Sequence, residues 1–454
     1  MGNTNTNTGE LIDRVFCTDL LRFLCREAIK RTVSPWAALS NTLDQIALAI
    51  PYEVAIQKVR VGNGPIPLNT ISMIVGPPGA GKGISSTPIL SLDPTTTVFI
   101  SEDGWIRQSL GDVLRNPITT ASAPAMAGAY IEYVPPRRAK AEMKDAEGNV
   151  TQAAESAVRG HTRQTAGAAY FRWTEVEELA EKTARGDALS SELRKLWVCE
   201  PIGTYTKDAE KRLMTRAGEY RAVVSIHTQP RKAGGGLVDE DGGLGSRWVF
   251  FSADFEVPDG MPMPRFEDEL GNQDLTLPDF DGEITVESSI DREMFEDRLH
   301  KRFQDGRNKH RNLRRLKLAA LFAVMHGSTD VTRRWWDVAG AVLEHSDAVH
   351  EHILAEQVAA EEEVSLRRGE HQAIRREGEA SRDSKVLAKT IERIPEVIER
   401  KCAKLGRSPI PPSYVMQTLT ATQKRHYDAA IKILCEQGAV RMNSKGEVAL
   451  REDD

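Results

Sequence analysis

The order of hydrophobic and polar residues predicts alternating strands and helices over the first half of the chain. Short apolar runs rich in β-branched and aromatic residues are typical of strands that are buried on both faces of a parallel sheet. Between them lie stretches with apolar residues at helical spacing, of which residues 189–197 are one. Strands that alternate with helices indicate an α/β fold with a parallel sheet. The predicted core strands are residues 71–75, 95–100, 168–173, 220–226 and 246–251.

Helical spacing dominates both ends of the chain. Residues 11–50 predict two helices, because their apolar periodicity breaks near Ser34 and Pro35. The last segment predicts three helices followed by a hairpin around residues 443–446, which is the element order of a winged helix. The three predicted helices are residues 386–404, 412–419 and 422–437.

Changes in composition divide the chain into six predicted segments. Residues 254–297 carry fifteen Asp and Glu against two Arg, which predicts an extended linker or surface excursion. The segments are a helical lead-in (1–69), a core (70–255), the acidic linker (256–297), a helical bundle (298–360), a charged tether or exposed helix (361–384) and a winged helix (385–454).

The first core strand runs directly into a glycine-rich sequence, GPPGAGKGI. Its spacing, Gly76-x-x-x-x-Gly81-Lys82, is that of a Walker A phosphate-binding loop. In such a loop the backbone N–H groups surround a polyphosphate, the following helix N-terminus adds partial positive charge, and the lysine reaches the β and γ phosphates. We therefore expect ATP as the ligand. The predicted binding residues are Gly76, Pro77, Pro78, Gly79, Ala80, Gly81, Lys82, Gly83 and Ile84.

One position departs from this motif. The residue after the lysine is normally Ser or Thr, whose hydroxyl binds Mg²⁺, and here it is Gly83. Either Ser85 or Ser86 takes this role, or phosphates and water hold the ion. Adenylate-kinase-type enzymes also carry Gly-Lys-Gly, but this sequence shows no arginine-rich lid and adds a helical bundle and a basic terminal segment.

Acidic residues follow two of the predicted core strands. Glu102 follows the second strand, and Glu175 follows the third. The carboxyl ends of parallel strands line the crevice in which nucleotides bind, so both carboxylates are expected beside it, and Glu175 is a candidate general base. The third strand is similar to a Walker B element, although Thr174 occupies the place of the Asp. Glu175 is for this reason also a candidate Mg²⁺ ligand, together with Ser85.

The fourth and fifth core strands supply polar residues of other kinds. His227 and Gln229 end the fourth strand, where polar side chains can hydrogen-bond the γ-phosphate and report its loss; a structural role is the alternative for His227. Arg247, in the fifth strand, is a candidate arginine finger, because guanidinium stabilises charge on transferring phosphoryl oxygens. The alternative for Arg247 is an ion pair with Asp239, Glu240 or Asp241.

Composition sets the wider context. The chain has 454 residues and a formal net charge of −6, as expected of an ordinary soluble protein of two or three domains. Its five cysteines are scattered, which argues against a zinc site and favours a reducing compartment. No apolar run reaches the roughly 18 residues of a membrane span, so we expect a cytoplasmic protein without a membrane partner.

The terminal segment differs in charge from the rest of the chain. Between Lys385 and Arg451 thirteen Lys and Arg face six Asp and Glu. This surplus favours duplex DNA as a partner of the predicted winged helix, with the third helix in the major groove. Docking of another protein is the alternative. The residues predicted to meet DNA are Lys424, Arg425, Tyr427, Lys432 and Lys445.

Several segments together resemble one family. They are GPPGAGKG (76–83), FISED (99–103), WTEVEEL (173–179), LRKLW (193–197), YRAVVSIHTQP (220–230), GLGSRWVFF (243–251) and residues 315–340. The chain resembles the phage- and plasmid-encoded replication ATPases of the RecA-like P-loop class, the RepA and DnaB helicase group. It is most similar to an uncharacterised branch associated with actinobacterial phages and mobile elements. The resemblance covers residues 11–352.

The resemblance implies a RecA-like core and a homo-oligomer in the form of a hexameric ring around single-stranded DNA, with ATP between subunits. The implied roles are Lys82 as the phosphate lysine, Glu102 or Glu175 as the base, His227 and Gln229 as the sensor strand, and Arg247 as the arginine contributed across the interface.

Two functions are open on these grounds. The first is an ATP-dependent DNA motor, helicase or helicase loader that works with other replication proteins of a phage or mobile element. The second is a nucleotide-gated DNA-binding initiator or repressor with little turnover. The departures at Gly83 and Thr174 weaken metal ligation at both usual positions and keep the second function open.

Overall fold

The computed structural model divides into two compact units, Met1–Val358 and Ala359–Asp454. The division lies close to the predicted boundary at residue 360. The described residues are 4–119, 122–140, 143–144, 150–152, 157, 159–174, 188–207, 213–233, 237–238, 243–258, 261, 263–265, 267–304 and 310–451.

Helices and strands alternate through the first unit. Its described helices are α1 (Thr4–Val15), α2 (Asp19–Lys30), α3 (Pro35–Ala49), α4 (Leu110–Arg115), α5 (Ala123–Gly128), α6 (Ala188–Val198), α7 (Ser288–Gln304), α8 (Arg311–Met325) and the first part of α9 (Arg333–Leu405). Its described strands are β1 (Ala55–Ile56), β2 (Ile66–Pro67), β3 (Thr70–Val75), β4 (Leu90–Leu92), β5 (Thr97–Ile100), β6 (Arg107–Ser109), β7 (Ile131–Val134), β8 (Met143–Lys144), β9 (Val150–Gln152), β10 (His161–Gln164), β11 (Ala168–Trp173), β12 (Arg221–Thr228), β13 (Val249–Ser252), β14 (Gln273–Leu275), β15 (Thr285–Val286) and β16 (Asp330–Val331).

Four parallel strands form the central sheet, in the order β11-β12-β3-β13. The strands are apolar because both faces of the sheet are covered, and β12 is buried along its whole length. The register pairs Val223 with Thr70, and Val249 with Ser72, so the four carboxyl ends lie along one edge. A mixed α/β fold with a central parallel sheet is thereby confirmed.

Helix α3 covers one face of this sheet. Every residue from Pro35 to Ala49 is buried, and the helix contacts β3, β12 and β13. Trp36 in its first turn stacks on His345 of α9, with ring centroids 3.8 Å apart. Side chains alternate along a strand, so one set of strand residues faces α3. This set contains Ser72, Tyr170, Arg172, Ser225 and His227.

Residues 11–50 form parts of three helices instead of the two predicted. The additional break lies at Thr18, whose side chain accepts a hydrogen bond from the N–H of Leu21 at 3.1 Å and so caps α2. Threonine is a common N-cap residue, and this local bond ends the periodic pattern without a proline.

The structure corrects the prediction that residues 95–100 belong to the central sheet. Strand β5 pairs instead with β6, in antiparallel orientation. The sequence between them forms a tight turn, in which Gly104 has a φ of 73° and the N–H of Ser101 donates to the carbonyl of Ile106 at 2.9 Å. Asp and Gly favour turns, so the acidic residues after β5 mark a hairpin and not the end of a parallel strand.

The described residues of 254–297, predicted as a linker or surface excursion, belong to the first unit and reach its core at a few positions. Ile284 and Val286 are buried, and β15 pairs with β16. Ile290 and Met294 are buried on α7. The segment is held because these few apolar residues reach the core, while most of its described acidic residues remain exposed.

The second unit contains the end of α9 followed by short helices and a hairpin. These elements are α10 (Pro412–Met416), α11 (Ala421–Arg425), α12 (Tyr427–Glu436), β17 (Val440–Met442) and β18 (Val448–Leu450). They enclose an apolar core that includes Ile398, Ile410 and Ile431. The element order agrees with the prediction, except that the predicted third helix is broken at His426. The predicted tether, residues 361–384, is part of helix α9.

Candidate nucleotide site

The glycine-rich loop begins at the carboxyl edge of the central sheet. The N–H of Gly76 donates to the carbonyl of Thr228, the last residue of β12, at 3.1 Å. A Cβ at Gly76 would lie 2.9 Å from the Cβ of Ala253, which follows β13. No real Cβ tolerates such a distance, so glycine is required here. The loop therefore starts from a fixed point between two strand ends.

Two further glycines give the loop its curvature. Gly79 has a φ of 82° and Gly81 a φ of 74°, in the left-handed region that glycine adopts without strain. Turns of this kind can direct successive backbone N–H groups to one side and make an anion-binding concavity. The backbone of the loop is thus compatible with phosphate binding.

Lys82 closes the loop on itself. Its Nζ donates to the carbonyl of Gly76 at 2.6 Å and to that of Pro77 at 2.8 Å. Burial lowers the pKa of Lys82, because removal from water disfavours the charged form. The lysine must exchange these carbonyls for phosphate oxygens when an anion enters the loop.

The helix expected after the loop is absent from the structure. Residues Ile84–Ser86 form a single 3-10 turn, and Thr87 is already extended. Pro88 explains why the 3-10 turn does not continue as a helix, since proline disfavours a helical conformation at the residue before it and has no N–H to donate. A phosphate in the loop would therefore lack the charge of a following helix.

The two serines predicted as metal ligands are engaged within the protein. Ser85 is buried; its hydroxyl donates to the carbonyl of Lys82 at 2.6 Å and accepts from Asn41 of α3 at 3.0 Å. Ser86 donates to the carbonyl of Gly83 at 2.6 Å and accepts from Arg172. The prediction of Ser85 as a Mg²⁺ ligand is not supported by this geometry, because its hydroxyl faces α3.

His227 lies beside the loop, on the strand next to β3. It pairs with Ile74, two residues before Gly76, and it is only 2% exposed. Burial lowers the pKa of His227 to about 3, and the positive charges of Arg172 and Lys82 act in the same direction. The imidazole is therefore neutral at physiological pH. Gln229, half-buried, follows directly at the strand end.

Arg172 is a residue that the motifs did not reveal. It is the next-to-last residue of β11, faces α3, and donates from one terminal nitrogen to Ser86 at the exit of the loop. The signal in the sequence is a lone charge inside the apolar strand AAYFRW. Thr174 lies beyond the strand end and is exposed. The predicted base and metal ligand Glu175 lies outside the described residues.

Asp44 of α3 lies beneath this cluster. Its carboxylate accepts from Ser72 at 3.4 Å, and Ser225 and Tyr170 are further hydrogen-bond partners. Burial raises the pKa of Asp44 to about 7, although these hydrogen bonds and the charge of Arg172 act against the rise. Sequence reasoning missed Asp44 because α3 reaches the sheet from a distant part of the chain.

Glu102 lies at the opposite edge of the sheet. Its hairpin docks on the start of β11, where the side chain of Gln108 donates to the carbonyl of Ala168 at 2.9 Å. Glu102 lines a cleft of about 800 Å³ together with Gly218 and Glu219, which precede β12. The predicted role of Glu102 as a base for the same nucleotide is not supported by this position.

Arg247 also lies at the amino edge of the sheet. It belongs to the 3-10 turn Gly245–Arg247 before β13 and donates to the carbonyl of Gly243. Its guanidinium carbon lies 5.5 Å from the centroid of the Trp197 ring. Burial lowers the pKa of Arg247, and the charge of Arg194 adds to this effect. The alternative partners Asp239, Glu240 and Asp241 lie outside the described residues.

The donor set around the loop does not fit a protein-held metal ion. Within the described ranges, no group of three or more His, Cys, Asp and Glu side chains is arranged to hold one. Gly83 has no hydroxyl and Ser85 is turned away, so neither of these two described residues would hold a Mg²⁺ ion that accompanies a nucleotide, while the predicted ligand Glu175 lies outside the described residues.

The basic residues of the second unit lie on several elements. Lys424 and Arg425 are exposed on α11, Lys432 on α12 and Lys445 between β17 and β18. Tyr427, predicted to meet DNA, is buried in the core of the unit. Alongside Lys432, α12 exposes Asp428, Ala429 and Glu436. The prediction that this helix is a basic recognition surface is therefore weakened.

No protein-family model matches the chain, and a comparison with curated protein sequences finds no significant match. Among the helices in the described part of the chain, none is both long and apolar enough to cross a membrane. All five cysteines are free thiols.

Proposed function

We propose that the chain is a P-loop protein that binds and hydrolyses ATP and acts on DNA in the replication of a phage or mobile element. Its work there is that of a motor, a helicase or a helicase loader of the RecA-like class. The observation that carries the proposal is a glycine-rich loop with Walker A spacing at the carboxyl edge of a parallel sheet, with buried His227 on the neighbouring strand.

The residues around the loop support phosphate binding. Lys82 would leave the carbonyls of Gly76 and Pro77 for the phosphates of ATP, and the loop N–H groups would surround them. His227, buried and neutral, would report the terminal phosphate to β12. Mg²⁺, when bound with ATP, would neutralise phosphate charge.

DNA and further copies of the chain are the proposed partners. The family resemblance supports a homo-oligomer, in the form of a hexamer, around single-stranded DNA. Exposed Lys424, Arg425 and Lys445 support contact between the second unit and the phosphates of duplex DNA.

The second candidate function is a nucleotide-gated DNA-binding initiator or regulator with little turnover. Two specific observations favour it. Lys82 is bonded to its own loop, and Ser85 faces away from the phosphate position. Both features suit a site in which nucleotide binding rearranges the loop more readily than it promotes hydrolysis.

Steady-state ATP hydrolysis with Mg²⁺ distinguishes the two functions. It is measured without DNA, with single-stranded DNA and with duplex, on the wild-type chain, on Lys82→Ala and on Lys58→Ala as an exposed control. The motor predicts stimulation of several-fold by single strands, which Lys82→Ala abolishes. ATP binding without stimulated turnover supports the regulator. Unchanged nucleotide affinity in Lys82→Ala contradicts both.

A further inference from the structure

Three nitrogen-bearing side chains come together around the exit of the loop. Lys82 belongs to the loop, Arg172 bonds to Ser86 at its end, and both charges act on His227. The three residues come from the loop, β11 and β12. A cluster of this kind favours an anion, since Lys82 and Arg172 bring two positive charges to one partly buried place beside the loop.

Two of these side chains have hydrogen-bonding capacity to spare. The Nε2 atom of His227 and the Nε atom of Arg172 are buried, and neither has a hydrogen-bond partner among the residues that the structure describes. Buried polar atoms in folded proteins are almost always paired. An oxygen-rich ligand at the loop exit would supply the missing acceptors.

The loop itself needs additional positive charge if it is to bind a triphosphate. Only the short turn Ile84–Ser86 follows it, so no helix terminus contributes. Gly83 and Ser85 present no hydroxyl that would bring a protein-bound metal ion. Lys82 alone would face the charge of the β and γ phosphates.

Arg172 is better placed than Arg247 to supply that charge within one chain. Arg247 precedes β13 at the amino edge and is bonded to its own turn. Arg172 lies next to the end of β11, at the carboxyl edge, and donates to a serine hydroxyl. A neutral hydroxyl is a weak partner for a guanidinium and is readily exchanged for a phosphate oxygen.

We propose that Arg172 leaves Ser86 to bind the terminal phosphate of ATP in its own chain, with His227 donating beside it. This assignment rests on the proposed nucleotide site and names the residues that distinguish ATP from ADP there. Arg172 would bind the terminal phosphate while ATP is present and return to Ser86 when that phosphate is lost. This change of partner would move the end of the loop.

The test is equilibrium binding of fluorescent ATPγS and ADP to the full chain and to three variants. Arg172→Ala is expected to weaken ATPγS binding by about 10-fold or more, as for loss of a charge-assisted hydrogen bond, with ADP changed less than about threefold. Arg172→Lys keeps the charge without the planar fork and should show a smaller ATP-selective loss. Ser86→Ala removes only the resting partner, so ATPγS affinity should be unchanged or higher.

The variants separate phosphate binding from a structural role. If Arg172 only anchors the loop exit, Ser86→Ala reproduces the defect, or Arg172→Ala weakens ATPγS and ADP equally; either result overturns the assignment. ADP binding and tryptophan fluorescence report whether each variant is folded. If Arg172→Ala does not fold, the comparison of ATPγS with ADP is made on Arg172→Lys instead. Retained binding of both nucleotides by Lys82→Ala would contradict the nucleotide site itself, whatever Arg172 does.

A mixing experiment tests the assignment to the same chain. ATP hydrolysis by a mixture of Lys82→Ala and Arg172→Ala chains is expected to stay no higher than the sum of the two variants measured alone, because neither chain carries a complete site. Restored hydrolysis in the mixture would show that Arg172 of one chain completes the site of another, and would overturn the same-chain assignment.

Discussion

The two edges of the central sheet hold their arginines in different ways. At the amino edge, Arg221 is fully buried and donates to the carbonyls of Pro51 at 2.9 Å and Val54 at 2.7 Å. Burial lowers its pKa to about 10. At the carboxyl edge, Arg172 donates to the hydroxyl of Ser86. Each of the two guanidinium groups has one buried nitrogen without a partner among the described residues, so the edges differ in the kind of partner and not in spare hydrogen-bonding capacity.

The difference separates a structural arginine from a candidate ligand-binding one. Backbone carbonyls of a fixed segment hold Arg221 permanently, whereas a serine beside a glycine-rich loop can release Arg172. Arg247 resembles Arg221 in that it is bonded to a carbonyl of its own turn. The carboxyl edge therefore combines charge, a hydroxyl partner that can be exchanged and a loop that can rearrange.

The largest predicted effect concerns Asp44, which is buried beneath the side chains at the carboxyl edge of the sheet. Asp44 has a pKa raised from 3.8 to about 7 in the folded protein, so between these values the native state binds more protons than the unfolded state. Stability should therefore fall as pH rises from about 4 to 7, by up to about 4 kcal/mol, and Asp44→Asn should remove this loss.

Urea unfolding of the full chain between pH 4 and 8 measures this effect. Tryptophan fluorescence suits it, because all seven tryptophans lie in the first unit. Asp13→Asn, at an exposed position of α1, is the control. Parallel pH profiles for wild type and Asp44→Asn would show that Asp44 ionises normally.

The next effect compares two glycines of the same loop. A Cβ at Gly76 would lie 2.9 Å from Ala253, whereas one at Gly83 would meet nothing within 4 Å, and Gly83 has an ordinary φ of −70°. Gly76→Ala should cost about 1–3 kcal/mol of stability and weaken nucleotide binding. Gly83→Ala should leave binding intact and stability within about 1 kcal/mol. Equal behaviour of the two variants in unfolding and binding assays would contradict this loop geometry.

The smallest predicted effect is that of changing Glu102, at the amino edge of the sheet. Glu102→Gln should change ATP hydrolysis by less than about twofold, because Glu102 lies across the sheet from the loop and general-base loss costs about 100-fold or more. Glu175→Gln provides the comparison, at the second residue after β11 in the sequence. A large loss of turnover in Glu102→Gln would require that Glu102 approach a nucleotide from outside its own sheet.

Much of the fold could be predicted from local sequence. The core strands at residues 71–75, 168–173 and 220–226 follow from apolar runs, since a buried strand has no polar face. Local sequence does not distinguish the hairpin of β5 and β6 from the end of a parallel strand, because its turn sequence suits both. The Walker A spacing predicts a helix after the loop, but Pro88 prevents one.

The sequence by itself determined the glycine-rich loop, its lysine and the parallel strands, because backbone freedom and apolar periodicity are local properties. Only the tertiary structure decided which side chains come together around the loop. Strand order and register bring Arg172, His227 and Asp44 together and send Glu102 and Arg247 to the other edge. Such pairings depend on contacts between residues far apart in the chain, which no local pattern encodes.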